Sequence, residues 1–514
     1  MKHLSYLIGG LSLVTSVAYP QSNQPTRPNI IYVFPDQYRN DACGFWNQEE
    51  FRGYRKAQGD PTITPNLNQF ARESLVLTSA QSNNPVSSPH RAMLMTGMYS
   101  ADFNGVPVNC NTESPNSSLN PDAVTIGDVF SQSGYDCAYI GKYHLDAPTK
   151  NNPDKPGHYV EERMPVWDAY TPKERRHGFN YWYSYGTFNE HKNPHYWDNE
   201  GKKHEPVEYS PVYEAKKAID YLKNTGNVRD PQKPFFIMVG MNPPHSPYNS
   251  LRDCMEEDYN LYKDIPLDTL LFRPNVTNRS LKKINSAPYY FANVTGVDRA
   301  FGMILDALKE LDMDKNTIVV FASDHGELMC SHGLAEEAKN MPYSEAMNIP
   351  FIVRYPEKIK HRVDSILLST PDIMPTLLGL AGLEKQIPQE IQGKDYSELF
   401  LDGNASIQRP TSALYFKNEF GEKNEQGKNM GYFPMARGLK TGKYTLAFMI
   451  TKDKKIKETY FYDDENDPYQ LNNLPLKGNE KIVKKLCMEL GRQLKAINDP
   501  WYRERVLNNM INYE

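Results

Sequence analysis

Asn29-Ile30-Ile31-Tyr32-Val33-Phe34 is the short apolar run that decides the fold. Its β-branched and aromatic side chains follow one another without polar interruption, which is typical of a strand buried on both faces of a sheet. The run ends at Pro35-Asp36-Gln37, so polar side chains follow its carboxyl end directly. The same pattern returns at residues 234–240 and 316–323, each followed by a polar cluster. We therefore predict three buried strands that present polar groups beyond their carboxyl ends.

Amphipathic helical patterns separate these runs, for example at residues 64–72 and 296–311. Buried strands that alternate with such helices predict an α/β fold, in which helices flank both faces of a large, mostly parallel sheet. Ligands of such sheets bind outside the carboxyl ends of the strands, where the polar clusters fall. Near residue 400 the character of the sequence changes, and short β-like pieces precede a closing helical pattern at residues 479–496. We predict a catalytic domain over residues 25–400 and a smaller α+β domain with an antiparallel sheet over residues 405–514.

Length and charge narrow the class of protein. The chain has 514 residues, more than one hydrophobic core usually serves, which agrees with two domains. Its 58 basic and 63 acidic residues give a formal net charge of −5 at pH 7. That balance gives no reason to expect nucleic acid or an anionic membrane as a partner. The six cysteines lack the paired spacing of a zinc site, and either one or two disulfides or free buried thiols would fit them.

Residues 1–21 have the pattern of a secretory signal peptide. Lys2 and His3 precede an apolar run over residues 4–18, which is too short to span a bilayer comfortably and is followed by polar residues. No cysteine lies near the predicted cleavage region, so a lipoprotein is not indicated, and no later segment approaches a membrane span. The sequence predicts an exported protein.

Residues 83–97 form a second decisive stretch. Turn-forming asparagines and a proline come first, followed by Ser87, by Pro89 in what would be a first helical turn, and by Arg91 one turn on. This order predicts a loop that delivers Ser87 to the amino end of a helix. Free N–H groups and the positive end of the helix dipole point at an anion there, and Arg91 would add a fork-shaped cation. For the stretch taken alone, an ordinary capped helix with a surface arginine is the alternative.

Hard oxygen ligands gather after two of the predicted strands. Asp36 and Gln37 follow the first strand, and Asp324 and His325 follow the strand at residues 316–323. Oxygen-dominated clusters favour Ca²⁺ or Mg²⁺ over softer metals. The alternative is that the two aspartates only cap helices or turns.

The order Ser87-x-Pro89-x-Arg91-x-x-x-Met95-Thr96-Gly97 resembles the maturation and active-site signature of the type I sulfatases, a family of the alkaline phosphatase superfamily. In that family the first Cys or Ser of the signature is oxidised to formylglycine, an aldehyde that works as its hydrate. The resemblance implies that Ser87 is so modified and that the fold is alkaline phosphatase-like. Members with Ser at this position are matured by a radical enzyme found in prokaryotes. That implies such an enzyme as a partner and a location in the bacterial periplasm.

The resemblance covers most of the chain and extends to the predicted metal site. Type I sulfatases place a divalent ion at the two strand ends described above, which implies Ca²⁺, or Mg²⁺, as a cofactor. The implied ligands are Asp36, Gln37, Asp324, His325 and the modified Ser87. Many members have Asp-Asp and Asp-Asn where this chain has Asp-Gln and Asp-His, so this site would hold about one carboxylate fewer.

Three further elements imply catalytic groups. Lys142 and His144 lie in an element similar to the family's Gly-Lys-aromatic-His, and on a strand this spacing would place both side chains on one face. His245 lies among prolines in an element that resembles the family's Pro-His, and Lys339 falls where the family keeps a substrate-contacting lysine. Arg91, Lys142, Lys339 and the ion would hold the sulfate oxygens. The family's roles make His144 the base that expels sulfate from the hydrate, and His245, with Lys339, the acid that protonates the leaving oxygen.

Substrate choice is expected from loops around this pocket. The segment over residues 158–197 is dense in aromatic, histidine and asparagine residues, and such groups suit a sugar ring. We predict His191 and His195 as sugar contacts. A long surface excursion packed on itself is the alternative.

Together these features predict an exported bacterial sulfatase that removes sulfate from a carbohydrate, such as a glycosaminoglycan-type oligosaccharide, by exo action at the chain end. Two rivals remain. One is a phosphomonoester or phosphonate-ester hydrolase of the same superfamily, and the other is a sulfated-glycan-binding protein that has lost catalysis. The complete Ser-x-Pro-x-Arg element favours sulfur over phosphorus, and the presence of the nucleophile and the acid/base groups weighs against lost catalysis.

Overall fold

A computed structural model describes residues 27–99, 101–111, 117–147, 170–187, 189–282, 284–425 and 429–507. The predicted signal peptide over residues 1–21 and residues 158–169 of the aromatic-rich segment lie outside the described residues. None of the helices in the described parts has the length and apolar character that crossing a membrane requires.

Ten strands form a large mixed sheet. They are β1 (Asn29–Val33), β2 (Leu75–Leu77), β3 (Asp136–Lys142), β4 (Tyr181–Tyr185), β5 (Tyr196–Trp197), β6 (Lys203–His204), β7 (Phe235–Gly240), β8 (Thr317–Ala322), β9 (Phe351–Arg354) and β10 (Arg362–Asp364). The order across the sheet is β10-β2-β9-β8-β1-β7-β3-β4-β5-β6. The five central strands β8, β1, β7, β3 and β4 are mutually parallel, whereas β9, β5 and β6 pair antiparallel with their neighbours.

Helices cover both faces of this sheet. The α-helices of the described chain are α1 (Pro65–Arg72), α2 (Ser87–Thr96), α3 (Ala101–Asn104), α4 (Ile126–Gln132), α5 (Ser210–Leu222), α6 (Glu256–Tyr259), α7 (Leu267–Leu270), α8 (Asn278–Leu281), α9 (Ala287–Glu310), α10 (Ser344–Met347), α11 (Ile373–Leu380), α12 (Ser397–Leu401), α13 (Glu480–Ala496) and α14 (Pro500–Arg503). Because side chains alternate along a strand, Ile31 and Val33 of β1 pack with α1, α5 and α9 on one face. Ile30 and Tyr32 pack with α2, α4 and α11 on the other.

The four remaining strands form a separate antiparallel sheet in chain order. They are β11 (Ser412–Lys423), β12 (Asn429–Thr441), β13 (Tyr444–Ile450) and β14 (Ile456–Asp463). One face, which includes Phe448 and Phe461, packs against α13. The other face, which includes Tyr415 and Tyr460, packs against residues 328–347 of the larger part of the chain. The small sheet therefore supports a segment that carries one of the predicted site residues, Lys339.

The predicted fold class is confirmed, while the proposed domain boundaries stay a prediction. Helix α9 begins earlier than the pattern at residues 296–311 indicated, and it includes Gly296 in its interior. That glycine is explained by packing, since a Cβ there would come within 2.7 Å of the Tyr209 ring. All six cysteines are buried, and no disulfide joins them among the described residues, so the alternative of buried thiols is the one realised.

Candidate active site

Ser87 is the first residue of α2, and it lies at the edge where the central strands end. The Ser88 N–H donates to Asn109 Oδ1 at 3.2 Å, which satisfies one of the free N–H groups of the helix start. All ten helix residues are buried. Gly97 ends the helix with a φ of 65°, and a Cβ there would lie 3.2 Å from the Ile391 side chain. The signature glycine is therefore required both by its backbone conformation and by close packing.

The Ser87 hydroxyl faces the predicted metal ligands. Its Oγ is 3.0 Å from His325 Nε2 and 3.4 Å from Asp36 Oδ1. Ligand atoms of Asp36, Asp324 and His325 lie within 4.8 Å of one another, and all three side chains are buried. The parallel order of β1 and β8 causes this, because it brings Asp36 and Asp324 to the same sheet edge. Two carboxylates and one imidazole nitrogen that converge in this way fit a divalent cation.

The tautomer of His325 suits metal binding. Its Nδ1 lies 2.9 Å from the Gly326 carbonyl oxygen, which can only accept a hydrogen bond. Nδ1 therefore carries the proton, and the lone pair of Nε2 is free to accept from the Ser87 hydroxyl or to bind a cation held by Asp36. Burial lowers the pKa of His325 and so favours the neutral form that a metal ligand needs.

Gln37 presents its amide between a cation and an acid. Its backbone has a φ of 63°, and its N–H donates to Asp324 Oδ1 at 3.0 Å. The side chain accepts a hydrogen bond from Lys339 Nζ through Oε1 and donates through Nε2 to Glu327. The oxygen of Gln37 is thus available to a cation, and the cation that it meets in this structure is Lys339.

Arg91 binds both carboxylates, and Lys142 binds that of Asp36. Arg91 Nε lies 3.2 Å from Asp324 Oδ2, Arg91 Nη2 lies 3.2 Å from Asp36 Oδ2, and Lys142 Nζ lies 2.9 Å from Asp36 Oδ2. Burial alone would raise the pKa of Asp36, but the neighbouring cations, Lys142 foremost, hold that pKa well below its usual value. Arg91 is itself fixed by donation to the Lys142 carbonyl at 2.7 Å and by the Phe34 ring, 4.7 Å away.

Charge balance follows from this arrangement. The two carboxylates of Asp36 and Asp324 are offset by the two cations Arg91 and Lys142, so a divalent ion would leave the centre with an excess of positive charge. A buried positive centre attracts an anion strongly, because the low local dielectric weakens electrostatic forces much less than water does. The geometry therefore suits an anionic group placed against Ser87.

His245 and Lys339 form a second pair at the rim of this centre. The His245 Nδ1–H donates to the Ser246 carbonyl at 2.7 Å, which leaves Nε2 to accept a hydrogen bond from Lys339 Nζ at 3.1 Å. Burial and the charge of Lys339 hold the pKa of His245 well below its usual value. His245 is therefore neutral in this structure, and an oxygen placed beside the pair would lie next to both Lys339 Nζ and His245 Nε2.

His144 is buried, and neither ring nitrogen has a hydrogen-bond partner among the described residues. Burial and the charges of Lys142 and Arg91 hold its pKa well below the usual value, so the ring is a neutral base. The predicted placement of Lys142 and His144 on one strand face is wrong. Strand β3 ends at Lys142, and His144 lies beyond it with a φ of 55°, because the chain has already left the extended conformation. The left-handed backbone is a strained conformation of the kind that clusters at functional sites.

His191 and His195 are placed differently from these groups. The His191 Nδ1–H donates to the Asp253 carbonyl at 2.7 Å, and burial lowers the pKa of His191 to about 4. His195 packs edge-on against Trp197, with ring centroids 5.0 Å apart. Both imidazoles are buried against neighbouring parts of the protein. Their role as sugar contacts stays a prediction, and their packing agrees with the alternative of a segment folded on itself.

Two further residues complete the site; the sequence placed them in the polar clusters after the strands, but no role was predicted for them. Asn242, two residues after the end of β7, accepts a hydrogen bond from Lys142 Nζ at 3.2 Å. Glu327 binds both Gln37 Nε2 and the Tyr248 hydroxyl, and burial raises the pKa of Glu327 to about 8. Their position in the sequence was the available signal, since Asn242 follows a central strand and Glu327 lies three residues after Asp324.

Family comparisons agree with this geometry. The model of the family described as Sulfatase matches residues 28–383, and a model described as N-sulphoglucosamine sulphohydrolase, C-terminal, matches residues 331–499. An endo-4-O-sulfatase of Bacteroides thetaiotaomicron is 62% identical over 511 residues, which cover 98% of this chain and 100% of that protein. An ulvan-active sulfatase of Formosa agariphila is 30% identical over 499 residues, which cover 96% of this chain and 86% of that protein.

Solved structures agree as well. One, from work on the metabolism of multiple glycosaminoglycans by Bacteroides thetaiotaomicron, has a TM-score of 0.91 and 63% identity, and the match covers 95% of this chain and 100% of that chain. The YidJ protein of Bacteroides fragilis has a TM-score of 0.80 and 34% identity over 94% of this chain and 99% of that chain. With the signature, the helix start and the acidic cluster in place, the chain belongs to the sulfatase family and is a sulfuric ester hydrolase.

Proposed function

We propose that this protein is an exported sulfatase that removes sulfate from a sulfated glycan, using a formylglycine made from Ser87 and a bound Ca²⁺. The observation that carries the proposal is the position of Ser87. Its hydroxyl lies at a buried helix start, within hydrogen-bonding distance of Asp36 and His325, while Arg91 and Lys142 bind the adjoining carboxylates. A nucleophile and an anion-binding centre thus lie side by side.

The substrate class rests on similarity. The relative that is 62% identical along nearly the whole chain is named an endo-4-O-sulfatase. The solved structure that matches with a TM-score of 0.91 comes from work on glycosaminoglycan metabolism. We therefore propose that this chain acts on 4-O-sulfate groups of a glycosaminoglycan-type chain. The relative's name favours endo action over the exo action that we expected from the sequence. Mg²⁺ in place of Ca²⁺ is the alternative cofactor.

The proposed cofactor would be held by Asp36, Gln37, Asp324, His325 and the modified Ser87. A divalent ion there supplies positive charge for the sulfate oxygens, and the formylglycine hydrate supplies two hydroxyl groups on one carbon, one of them for attack at sulfur.

The chain's own side chains then have distinct roles. Arg91, Lys142 and Lys339 hold the sulfate oxygens and offset charge in the transition state. His144 has a neutral imidazole with unpartnered nitrogens, so it can take the hydroxyl proton whose loss expels sulfate. The Lys339–His245 pair can protonate the sugar oxygen as it leaves.

Export and maturation complete the proposal. A signal peptide over residues 1–21 would direct the chain to the bacterial periplasm, and a radical-type sulfatase-maturing enzyme would oxidise Ser87.

Two measurements test the function. After coexpression with such a maturing enzyme, mass analysis should show the Ser87 peptide lighter by two hydrogens. The matured protein should release sulfate from internal 4-O-sulfated positions of a glycosaminoglycan chain, faster than from 6-O-sulfated chains and faster than phosphate from a matched phosphate ester. An unmodified Ser87 in an active enzyme, or a faster phosphate release, would overturn the proposal.

A further inference from the structure

Glu327 is a buried acid that binds the side chain of one predicted ion ligand, Gln37. We propose that Glu327 is a positioning residue, which fixes the amide of Gln37 so that the amide oxygen, and not the nitrogen, is presented to a divalent cation. The proposal rests on the proposed function, because it assigns Glu327 a part in binding the ion that this activity uses. The affinity for that ion then depends on a group that does not touch it.

The sheet brings the two residues together. Gln37 follows the end of β1, Glu327 follows the end of β8, and these strands are parallel neighbours. Both side chains are fully buried. Gln37 Nε2 donates a hydrogen bond to Glu327 Oε2 across a separation of 290 positions in the sequence. The acid therefore contacts the amide directly, from the end opposite to the amide oxygen.

The orientation of the amide follows from its two partners. Lys339 Nζ contacts Gln37 Oε1, and an ammonium group can only donate a hydrogen bond. The amide oxygen must therefore face Lys339, and the amide nitrogen faces Glu327. A carboxyl group offers an acceptor oxygen in both of its protonation states, so this arrangement does not depend on the charge of Glu327. Burial and the charge of Lys339 both lower the pKa of His325, so the oxygen end of the amide lies on the side of the ion ligands.

Glu327 is itself held from other directions. The Tyr248 hydroxyl donates to Glu327 Oε2 at 3.2 Å, and the Met329 N–H donates to Oε1 at 3.5 Å. The Tyr248 ring packs edge-on against Tyr290, with ring centroids 5.5 Å apart. The Tyr290 hydroxyl in turn donates to the Gln37 carbonyl oxygen at 2.9 Å. Two packed tyrosines thus fix both the acid that holds the amide and the backbone that carries it.

An amide ligand needs this support more than a carboxylate ligand does. A carboxylate can bind a cation through either of two equivalent oxygens, whereas the amide of Gln37 can bind only through Oε1. A glutamine side chain also has several rotatable bonds, and the cost of ordering them would weaken ion binding if no partner held the amide beforehand. Groups that orient metal ligands are commonly worth about 10- to 100-fold in metal affinity. Glu327 is placed to supply this orientation.

Glu327→Ala tests the proposal in the protein with unmodified Ser87, so the measurement does not depend on maturation. We expect the dissociation constant for Ca²⁺, measured by calorimetry, to rise about 10- to 100-fold. Glu327→Gln keeps an acceptor oxygen for Gln37 Nε2 and should restore the constant to within about 3-fold of the wild-type value. Tyr248→Phe removes one hydroxyl that holds Glu327 and should raise the constant about 2- to 10-fold.

Glu214 on α5 provides a matched control. It is also fully buried, and its Oε1 accepts a hydrogen bond from the Tyr196 hydroxyl at 3.0 Å. Glu214→Ala should lower the thermal midpoint, as Glu327→Ala does, but should leave the affinity for Ca²⁺ unchanged. If Glu327→Ala does not fold, Tyr248→Phe and Tyr196→Phe form the corresponding pair, of which only the first should weaken Ca²⁺ binding.

The activity of the matured protein gives a second readout. High Ca²⁺ concentrations should restore sulfate release by Glu327→Ala, because the variant lowers only the occupancy of the site. Wild-type affinity in Glu327→Ala, an equal loss in Glu214→Ala, or a failure of Glu327→Gln to restore binding would each contradict the role of Glu327. If the wild-type protein binds neither Ca²⁺ nor Mg²⁺, the cofactor of the proposed function has failed instead.

Discussion

The two sheets of this protein contribute to the site in different ways. The centre of the large sheet is parallel, so the carboxyl ends of β1, β3, β7 and β8 meet at one edge and deliver Asp36, Lys142, Asn242 and Asp324 to it. In the small sheet neighbouring strands run in opposite directions, so their carboxyl ends lie at alternate edges. The small sheet therefore makes its contacts through the side chains on its two faces and through the long β11–β12 hairpin. The large sheet thus brings the reactive groups together at one edge, and the small sheet supports the loops around them.

This contrast predicts the largest effect for the nucleophile at the large-sheet edge. Ser87→Ala should lower sulfate release on the order of 10⁴-fold or more, because the covalent route is lost. The variant should retain the near-ultraviolet circular dichroism of the wild-type protein. Ser131→Ala, a change in α4, is the control and should retain full activity. Substantial turnover by the Ser87→Ala protein would assign the nucleophile elsewhere.

Loss of the Lys339–His245 pair should give the next largest fall in activity, and only on esters whose leaving group needs a proton. His245→Ala removes the acceptor that Lys339 contacts at 3.1 Å. We expect a loss of roughly 10²- to 10⁴-fold on a sulfated sugar, whose alcohol needs a proton to leave. The loss should be much smaller on a nitrophenyl sulfate, because a nitrophenolate leaves without help. Equal losses on both esters would argue that His245 positions the sulfate and does not protonate the leaving oxygen.

A matched pair of aspartates compares the two sheets directly. Asp324→Asn removes a proposed ion ligand and a partner of Arg91, and should lower activity on the order of 100-fold with a weakened Ca²⁺ affinity in calorimetry. Asp464→Asn disrupts the partner of Lys440 in the small sheet, 3.1 Å away. It should lower the free energy of unfolding by about 1 to 3 kcal/mol and leave Ca²⁺ affinity unchanged. A shift in Ca²⁺ affinity for Asp464→Asn would contradict the division between the sheets.

The smallest effect concerns the support that the small sheet gives to the Lys339 segment. The Tyr415 hydroxyl donates to the Asn340 carbonyl at 2.9 Å. Tyr415→Phe should cost about 1 kcal/mol of stability and reduce kcat by a few-fold, since Lys339 is then held less firmly. Tyr444→Phe, on the face that packs with α13, should leave kcat unchanged. The same kcat for both variants would separate the small sheet from catalysis.

The class of the fold could be predicted from the sequence because the features that determine it are local. Strands buried on both faces must be apolar throughout, as residues 29–34 are, and the alternation of such strands with amphipathic helices admits few architectures. The position of His144 could not be predicted in this way, because β3 ends at Lys142, two residues before His144. Nothing local marks the residue at which a chain leaves a sheet, since that depends on which neighbouring strand continues to pair with it.

The amino-acid sequence alone determined the reactive groups: a serine before a helix-forming stretch, its arginine one turn on, and acids directly after apolar runs. Their chemistry is intrinsic to the residue types, and their order along the chain carries the family signature. Only the tertiary structure decided which groups meet. Parallel pairing brought residues nearly 300 positions apart within hydrogen-bonding distance of one another, so that Gln37 N–H binds Asp324 at 3.0 Å. Packing of the small sheet then brought Tyr415 against the Lys339 segment, where its hydroxyl donates to the Asn340 carbonyl, because contacts between distant segments depend on the burial of whole faces and not on any local pattern.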